Sequence, residues 1–404
     1  MGTPFFFLCP GCGTKTAIRS ICEQIAVIVP QRRRETCYGE HRKKEEIIRI
    51  MKPLKDEYKV IIWGLGSVGR SALQIINAKK SLRLVAAYDI DPKKIGRDAG
   101  EVCGFEPAGV TVTNDREAVL NTEADICLYY AASVWDEGKL PDLETCQANV
   151  DDIVALLSHG KNVTTTVNIY FAEKNQPRYF KEIDEAARAH GVTFTQQGIF
   201  PGFFTPYLPT VFGCLTRKIN KVIVYGGQDD SANTAPWVNF LCYGKTVEDI
   251  PPAQFAFLKS LFFTYYGPTV IEITERLGLE YDEYRCDVTQ IMADEEVTTP
   301  NAHITPGTIG THFFVMATYN KGEEVVGFHF NHKGSNEILH DYTVDKAIEI
   351  FGEPHVRVDI EGIIDHYDPF LTSAAPNVNL IPAIVEADPG YHDALDIPLI
   401  RLPK

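Results

Sequence analysis

The first half of the chain alternates short apolar runs with amphipathic segments. Largely apolar residues at Val60–Trp63, Leu82–Ala87 and Ala124–Tyr130 predict strands that are buried on both faces. Apolar residues three and four positions apart predict helices, for example over 142–158 and Pro177–His190. Because strands and helices follow each other in turn, the pattern predicts an α/β Rossmann domain with a doubly wound parallel sheet.

Beyond about residue 205 this alternation stops. Residues 245–278 have the pattern of a long helix, and polar-apolar alternation predicts strands over Glu283–Met292, Thr311–Tyr319, Glu324–Asn331 and Val356–Ile360. The loop Asn320–Gly322 has the glycine of a hairpin. These elements predict an α+β second domain with a largely antiparallel or mixed sheet. The helical tail Leu371–Glu386, with a possible break near Pro376 and Pro382, is predicted to return to the first domain.

The patterns divide the chain into four segments. Residues 51–204 form the predicted dinucleotide-binding Rossmann domain, 205–365 the substrate and dimerisation domain, and 366–404 the segment that returns to the Rossmann domain. Residues 1–50 differ from the rest, since they hold nine Lys and Arg against five Glu in a chain of net charge −15. Met51 directly follows this segment, and we interpret 1–50 as an atypical extension outside the fold.

The extension contains several potential metal ligands. Cys9, Cys12, Cys22, Cys37 and His41 are residue types that suit tetrahedral zinc. Only Cys9 and Cys12 form a close ligand pair, whereas a zinc ribbon needs two such pairs. We therefore predict no metal site.

Composition narrows the class of protein. Hydrophobic residues make up 45% and charged residues 23% of the chain, as in a globular protein with ample core. The charge of −15 argues against a dedicated nucleic-acid binder, because phosphate contacts need clustered Lys and Arg. No apolar run reaches the roughly 18 residues of a transmembrane helix, so no membrane partner is expected. The cysteines beyond residue 50 are scattered singly, which predicts free thiols and a cytoplasmic location.

A glycine motif follows the first predicted strand. Gly64, Gly66 and Gly69 fit the G-x-G-x-x-G pattern, with Ser67 and Val68 between the last two glycines. Such a turn brings backbone close to a pyrophosphate at the N-terminus of the next helix. Strand, motif, helix and strand occur in the required order, so the sequence predicts dinucleotide binding.

The second strand ends in an acidic residue that bears on cofactor choice. Asp89 can accept hydrogen bonds from ribose hydroxyls and would repel a 2′-phosphate, which favours NAD(H) over NADP(H). Lys93, Lys94 and Arg97 follow closely and could serve a 2′-phosphate. For the two lysines we favour a solvated turn.

Three loops follow predicted strands at the edge where ligands bind. In parallel sheets that edge is the carboxyl end of the strands. The loops are Ala131–Ala132–Ser133, Asn168–Tyr170 and Gly198–Phe203. We predict the nicotinamide over the crevice formed by the first two loops and Pro201–Phe203. Aromatic residues predicted to line a substrate pocket are Phe203, Tyr207 and Trp237, together with Tyr170. His312 and His329 lie in predicted strands, where a histidine could be an acid/base group or a structural residue.

Several motifs together resemble a known family over about residues 58–404. The chain is similar to the dihydrodipicolinate reductase-like group that includes 2,4-diaminopentanoate dehydrogenase and the native amine dehydrogenases. The segments that carry the resemblance are 60–70, 96–104, 160–166, 198–203, 378–385 and 395–400. The resemblance implies a Rossmann domain, a mixed α+β second domain, a homodimer, and hydride exchange between a nicotinamide and a C=N or C=O bond.

The chain departs from this family at specific positions. It lacks the His-His pair and the Lys-x-Asp-x-Pro-Ser-Gly-Thr segment of true dihydrodipicolinate reductases, which argues against lysine biosynthesis. The family glutamate that handles the amine is matched here by Asn168, and the family turn Gly-x-Asn-Pro-Gly has Phe200 in place of Asn. An asparagine can hydrogen-bond an imine or carbonyl but cannot take a proton at neutral pH.

The sequence thus predicts an NAD(P)-dependent oxidoreductase. It would transfer a hydride between a nicotinamide and a C=O or C=N bond of a small substrate. The candidate catalytic residues are Asn168, Tyr170 and His312, and a homodimer is the expected assembly. The alternative that the missing glutamate leaves open is a dinucleotide-binding sensor or regulatory protein without turnover.

Overall fold

The computed structural model describes residues 54–134, 136, 139–233, 236–364, 368–398 and 402–404. The chain divides into two units, Met1–Pro53 and Leu54–Lys404. The extension 1–50, with its possible zinc ligands, lies outside the described residues. Its exclusion from the fold therefore stays a prediction.

The first sheet has seven parallel strands. Its spatial order is β3-β2-β1-β4-β5-β6-β15, so the order reverses between β1 and β4. This reversal is the topological switch point at which doubly wound sheets bind their ligands. The predicted doubly wound parallel sheet is confirmed. The strands are β1 (Tyr58–Trp63), β2 (Leu82–Tyr88), β3 (Val112–Thr113), β4 (Ile126–Tyr129), β5 (Asn162–Thr165), β6 (Thr193–Gln196) and β15 (Gly390–His392).

Helices connect these strands and cover the sheet. Helix α6 is typical: proline occupies its first turn, Gly191 ends it in the left-handed conformation, and Tyr179, Ile183 and Ala187 bury one face at four-residue spacing. The helices of this part are α1 (Ser67–Asn77), α2 (Ala99–Val102), α3 (Arg116–Asn121), α4 (Gln147–Ser158), α5 (Ala172–Asn175), α6 (Pro177–His190), α9 (Leu371–Asn379) and α10 (Ile381–Glu386).

The C-terminal segment returns to the first sheet. Strand β15 pairs in parallel with β6, and Ala374, Val378 and Ile381 are buried in the same core as β1. The helical tail is divided in two next to Pro382, one of the two prolines near which the sequence predicts a break, because Leu380 ends α9 and Pro382 lies in the first turn of α10. The other proline, Pro376, lies inside α9.

The second sheet has six strands in the order β14-β13-β7-β12-β11-β8. Only β12 and β7 pair in parallel, so the sheet is mixed, as predicted. At the predicted hairpin, Lys321 and Gly322 have φ values of 53° and 83°, the conformation of a two-residue turn. The strands are β7 (Lys218–Asp229), β8 (Glu283–Met292), β11 (Ile309–Asn320), β12 (Glu323–Lys333), β13 (Lys346–Glu353) and β14 (Val356–Ile360).

Shorter elements complete the second domain. Strands β9 (Val297–Thr298) and β10 (His303–Ile304) form a separate ribbon. The helices are α7 (Tyr207–Gly213) and α8 (Pro252–Arg276), with 3₁₀ helices at Pro236–Leu241 and Val247–Asp249, and another at Ala394–Asp396 near the C-terminus.

The long helix α8 lies between the second sheet and the first domain. Its Phe262 ring packs 4.1 Å from the Phe314 ring of β11, within a buried core that also contains residues of β7 and β13. At its C-terminal end, Arg276 reaches carboxylates of the C-terminal segment: Nη1 is 3.0 Å from Asp396 and Nη2 is 3.4 Å from Asp393. The side chains of α8 therefore have fixed positions relative to both sheets.

Three carboxylates surround the Arg276 guanidinium. Besides Asp393 and Asp396, Glu272 lies 3.4 Å from Arg276 Nε and is only 2% exposed. Burial, and then the negative charge of Asp393, hold the pKa of Glu272 well above its ordinary value. Burial and the charge of Asp396 raise the pKa of Asp393 to about 6. One cation cannot balance the two buried carboxylates and the exposed Asp396 beside them, so the folded protein retains protons here that the unfolded chain releases.

Glu272→Gln is expected to raise thermal stability above neutral pH. A carboxyl with a raised folded-state pKa stabilises below its unfolded pKa, and this stabilisation is lost as pH rises towards the folded value. The amide keeps the shape and cannot ionise, so the variant should lose less stability than wild type as the pH rises above the ordinary pKa of a glutamate. Relief of about 1 kcal/mol would raise the Tm by roughly 2–4 °C in a thermal melt.

Glu275→Gln is the matched control on the same helix. Glu275 lies 2.9 Å from Lys174, and hydrogen bonding to Lys174 lowers the pKa of this carboxyl. Its replacement removes a favourable ion pair and should leave the Tm unchanged or slightly lower. A lower Tm for Glu272→Gln at alkaline pH would contradict the prediction.

Candidate functional site

The glycine turn after β1 has the shape of a dinucleotide cradle. Gly64 has a φ of +99°, and a Cβ there would lie 2.7 Å from the Tyr130 carbonyl oxygen, so only glycine fits. A Cβ on Gly66 would meet no protein atom within 4 Å. Gly66 is the N-cap residue that precedes helix α1, and no side chain caps that end of the helix. Open space above amide groups at a helix N-terminus fits a bound pyrophosphate.

Asp89 is held in place at the end of β2. Its Oδ2 accepts hydrogen bonds from the Leu65 amide and from Lys94 Nζ, both at 2.8 Å, and its Oδ1 accepts from the Asp91 amide. Burial raises the pKa of Asp89, but the hydrogen bonds outweigh it and the net pKa lies below the ordinary value. The carboxylate is therefore ionised, beside the place where a ribose would lie.

Lys94 differs from the solvated residue that the sequence predicted. Its ammonium contacts Asp89 Oδ2 at 2.8 Å and the Leu65 carbonyl oxygen at 3.1 Å. Lys93 and Arg97 are exposed. The prediction failed for Lys94 because a turn brings its side chain back over the strand end, which spacing along the chain does not reveal.

A cavity of about 530 Å³ opens where the strand-end loops meet the long helix α8. All three predicted loops contribute to its wall: Ala132 and Ser133 come from the first, Tyr170 from the second, and residues 198–201 from the third. Its described wall has no charged side chain and is mostly aromatic and aliphatic. The other residues that line it are Val68, Thr166, Phe240, Phe257, Leu261, Phe262, Tyr265, Tyr266, Phe370 and Ser373.

Asn168 lies behind the wall of this cavity. Its side chain is 1% exposed, and its Oδ1 accepts a hydrogen bond from Ser133 Oγ at 3.1 Å. Gln176 Nε2 donates to the Asn168 backbone oxygen at 2.7 Å, which fixes the loop. The Asn168 side chain also contacts the Cys146 thiol. Asn168 therefore reaches the cavity through Ser133, and the structure does not place it directly against a substrate.

Tyr170 lies in the cavity wall with its hydroxyl already engaged. The hydroxyl donates to the Thr166 carbonyl oxygen at 3.1 Å, and the Tyr170 amide donates to Gln176 Oε1. Burial, and then the neighbouring Tyr265 and Tyr266, raise the pKa of Tyr170 well above its ordinary value. Tyr170 is thus a neutral, fixed wall residue, and its predicted catalytic role remains a prediction.

The structure places His312 away from the cavity. It is fully buried in the second domain, where its Nε2 lies 2.6 Å from the Leu241 carbonyl oxygen. Burial lowers the pKa of His312 to about 4. The prediction of an acid/base role is corrected, because a neutral imidazole enclosed in the core has no access to the site. His329 pairs with Glu324 at 2.7 Å on the second sheet.

Two predicted pocket residues also lie elsewhere. The rings of Phe203 and Tyr207 stack on each other at 5.7 Å, and neither belongs to the cavity wall. Phe200, three positions before Phe203, occupies that wall instead. The Trp237 side chain lies outside the described residues.

Sequence reasoning missed the contribution of helix α8. Leu261, Phe262, Tyr265 and Tyr266 all face the cavity. The only signal was the pair of aromatic doublets in a helical segment, and that pattern does not distinguish a pocket from an ordinary core. Tyr265 also contacts Ser133, 132 residues earlier in the chain, at 2.8 Å between the two hydroxyl oxygens.

Two family models match the chain. Residues 58–134 match the dihydrodipicolinate reductase N-terminus, and residues 266–402 match the 2,4-diaminopentanoate dehydrogenase C-terminal domain. The amine dehydrogenase of Streptomyces virginiae is 27% identical over 354 residues, which cover 84% of this chain and 96% of that protein. A 4-hydroxy-tetrahydrodipicolinate reductase of Gloeothece citriformis is 34% identical over 61 residues, 15% of this chain and 22% of that protein.

Solved structures show the same fold. Amine dehydrogenase from Mycobacterium smegmatis superposes with a TM-score of 0.67 at 20% identity, covering 85% of this chain and 97% of that one. A probable dehydrogenase from Thermotoga maritima has a TM-score of 0.51 at 13% identity, covering 84% of this chain and 92% of that one.

Proposed function

This chain belongs to the dihydrodipicolinate reductase-like family that includes 2,4-diaminopentanoate dehydrogenase and the amine dehydrogenases, and from that premise we propose its reaction. It is an NAD(P)-dependent oxidoreductase that acts on small molecules. We propose that it reduces the carbonyl group, or a preformed imine, of a small apolar substrate. The observation that carries this proposal is a largely apolar cavity whose described polar wall groups are neutral hydroxyls and backbone.

Different residues would bind the cofactor and the substrate. The cradle at Gly64–Gly69 and Asp89 would hold the dinucleotide, and its nicotinamide supplies the hydride when bound. Aromatic residues of α8 and of the loop at Phe200 would enclose the substrate and exclude water. Asn168 replaces the family glutamate, so the site lacks the carboxylate that would deprotonate an ammonium group. These features favour reduction over amine oxidation.

A substrate panel tests this proposal. NADH oxidation is measured with an apolar ketone, with the α-keto acid of the same carbon skeleton, and with a cyclic imine. We expect saturable turnover of the ketone or imine and little turnover of the keto acid, because the described wall offers no cation for a carboxylate. Tight NADH binding without turnover across the panel would instead support a sensor, and preference for the keto acid would contradict an apolar site.

We further propose that NAD(H) is favoured over NADP(H). The ionised Asp89 carboxylate supports this choice, because it would repel a 2′-phosphate. Lys94, at 2.8 Å from Asp89, acts in the opposite sense by neutralising part of that charge.

Asp89→Ala is expected to weaken NADH binding and to reduce the difference between the dissociation constants of NADH and NADPH. Loss of hydrogen bonds to a charged group costs about 1.5–3 kcal/mol, or roughly tenfold or more in Kd. Fluorescence titration gives both dissociation constants, and a thermal melt checks that the variant is folded. Lys94→Met is the control. It removes the cation that neutralises part of the Asp89 charge, so NADPH binding is expected to weaken. Tighter binding of NADPH than NADH by wild type would overturn the assignment.

The assembly we propose is a homodimer formed through the open face of the second sheet. The opposite face packs on α8, whereas Tyr225, Phe313, Val315 and His329 on the open face are only half-buried, and no described element covers them. Light scattering should give twice the chain mass, and Val315→Arg should shift the protein to monomers. A monomeric wild type would contradict this assembly.

The proposed location is the cytoplasm. The six cysteines of the described residues are free, and five of them are buried, as expected in a reducing compartment. Within the described part of the chain, no helix has both the length and the apolar character needed to cross a bilayer.

A further inference from the structure

Two rings in the cavity wall rest on the same pair of buried rings from the second sheet. Phe200, in the loop after β6, and Tyr266, on α8, both line the cavity and are half-buried. Phe328 and Phe330 lie on one face of β12 and are at most 1% exposed. The centroids of both wall rings lie 5.4–6.0 Å from those of Phe328 and Phe330. We refer to these four residues as the aromatic cluster.

The relative orientation of the rings in the aromatic cluster is fixed. Phe200 stacks on Phe328, with 14° between the ring planes, and meets Phe330 edge-on at 77°. Tyr266 does the reverse, since it stacks on Phe330 at 24° and meets Phe328 edge-on at 82°. Stacked and edge-to-face pairs are the arrangements that the charge distribution of aromatic rings favours. Each wall ring is therefore held by two favourable contacts with the sheet while it also borders the cavity.

A glycine on the neighbouring strand makes room for the aromatic cluster. Gly226 of β7 pairs with Phe330 of β12, and a Cβ at Gly226 would lie 2.8 Å from the Phe330 ring and 3.1 Å from the Phe328 ring. Any side chain at this position would displace both rings. The second sheet thus supports the aromatic cluster closely, and a ligand in the cavity meets ring surfaces that need little rearrangement.

We propose that the substrate carries an aromatic ring that binds against Phe200 and Tyr266, so that the substrate class is an arylalkyl ketone or the corresponding imine. This inference rests on the proposed function and names the substrate class of the same cavity. The reacting C=O or C=N bond would lie towards the first domain, where Ala132 and Ser133 line the cavity beside the proposed nicotinamide site. A planar substrate ring gains stacked or edge-to-face contacts with wall rings whose orientation is already set.

Two ketones that differ only in the saturation of one ring test this substrate class. Phenylacetone and cyclohexylacetone have the same carbon skeleton, and the cyclohexyl ring has at least as much apolar surface as the phenyl ring. The hydrophobic effect alone therefore does not favour the phenyl ketone, whereas contacts between aromatic rings do. We expect kcat/KM of wild type for phenylacetone to exceed that for cyclohexylacetone by about three- to tenfold. A ratio of about one or less would overturn the proposal.

Unreactive amides of the same two skeletons measure binding without turnover. Phenylacetamide and cyclohexylacetamide carry an amino group in place of the terminal methyl group of each ketone. Calorimetric titration of the complex with NADH should give a Kd that is about three- to tenfold lower for phenylacetamide than for cyclohexylacetamide.

Phe200→Leu removes one ring of the aromatic cluster and keeps the cavity wall apolar. It should lower the phenyl-to-cyclohexyl ratio of kcat/KM by at least about twofold, because one ring contact is lost. Phe203→Leu is the matched control in the same loop and should leave the ratio unchanged, because the Phe203 ring stacks on Tyr207 outside the described cavity wall. If a thermal melt shows that Phe200→Leu does not fold, Tyr266→Leu makes the same test from α8.

The amide titrations separate failure of this inference from failure of the proposed function. If no ketone or imine is reduced but phenylacetamide binds more tightly than cyclohexylacetamide, the proposed function fails and the aromatic site stands. If ketones are reduced but neither pair of compounds shows a preference for the phenyl ring, the proposed function stands and the aromatic substrate class is wrong. An unchanged ratio in a folded Phe200→Leu variant would also overturn the placement of the substrate ring.

Discussion

Gly66→Val is expected to abolish measurable dinucleotide binding while leaving the fold intact. A Cβ at Gly66 meets no protein atom within 4 Å, and the residue has an ordinary φ of −76°. The valine side chain would instead occupy the space through which the backbone approaches the pyrophosphate. We expect the NADH Kd to rise at least roughly 100-fold, which corresponds to about 2.8 kcal/mol. Fluorescence titration measures the Kd, and a thermal melt measures stability.

Gly69→Ala separates loss of binding from loss of folding. A Cβ at Gly69 would lie 2.1 Å from the Gly64 carbonyl oxygen, so even the smallest side chain forces helix α1 away from β1. This variant should therefore lower the Tm as well as cofactor affinity. Gly66→Val with wild-type NADH affinity would show that the open space above the turn does not receive the cofactor.

Asn168→Glu is expected to raise amine oxidation, the activity that wild type should nearly lack. A glutamate at this position would supply the carboxylate that the family resemblance implies there. Its side chain is one methylene longer than that of Asn168, which ends 3.1 Å from Ser133 at the cavity wall. A positioned general base contributes about 10²–10⁴-fold, and NAD⁺ reduction with an apolar primary amine measures the gain.

Asn168→Gln is the control, because glutamine has the same length as glutamate but carries a neutral amide in place of the basic carboxylate. It should leave amine oxidation near the wild-type level, because an amide cannot take a proton at neutral pH. Strong wild-type amine oxidation that survives Asn168→Ala would refute both the match to the family glutamate and the role of this residue.

The residues that would bind the cofactor could largely be predicted from the sequence. Gly64, Gly66 and Asp89 belong to one local unit of strand, turn, helix and strand, and the structure places them as that unit requires. Ser133 and Tyr170 were found by a topological rule, since loops at the carboxyl ends of parallel strands gather at one edge. These predictions depend on neighbouring residues or on the order of strands and helices, and both can be taken directly from the amino-acid sequence.

The residues that line the substrate cavity could not be predicted in the same way. Helix α8 looks apolar on several faces, so its pattern does not reveal that Tyr265 faces a cavity while Phe262 also packs on β11. His312 lies on the same face of β11 as the buried Phe314 and Met316, and only its contact with the Leu241 carbonyl oxygen, from a distant segment, shows that it is enclosed. Strand β13 was missed although Ala347, Ile348 and Ile350 are buried, because its pairing with β7 is distant in the chain.

The sequence by itself determined the class of fold, the order of its elements and the dinucleotide turn, because these depend on short-range periodicity and on glycine at positions that exclude a Cβ. The tertiary structure decided which side chains meet. It brought Tyr265 to Ser133 across 132 positions and placed Asn168 behind that pair. Contacts of that kind depend on how helix α8 packs between two sheets, and no local pattern encodes that packing angle.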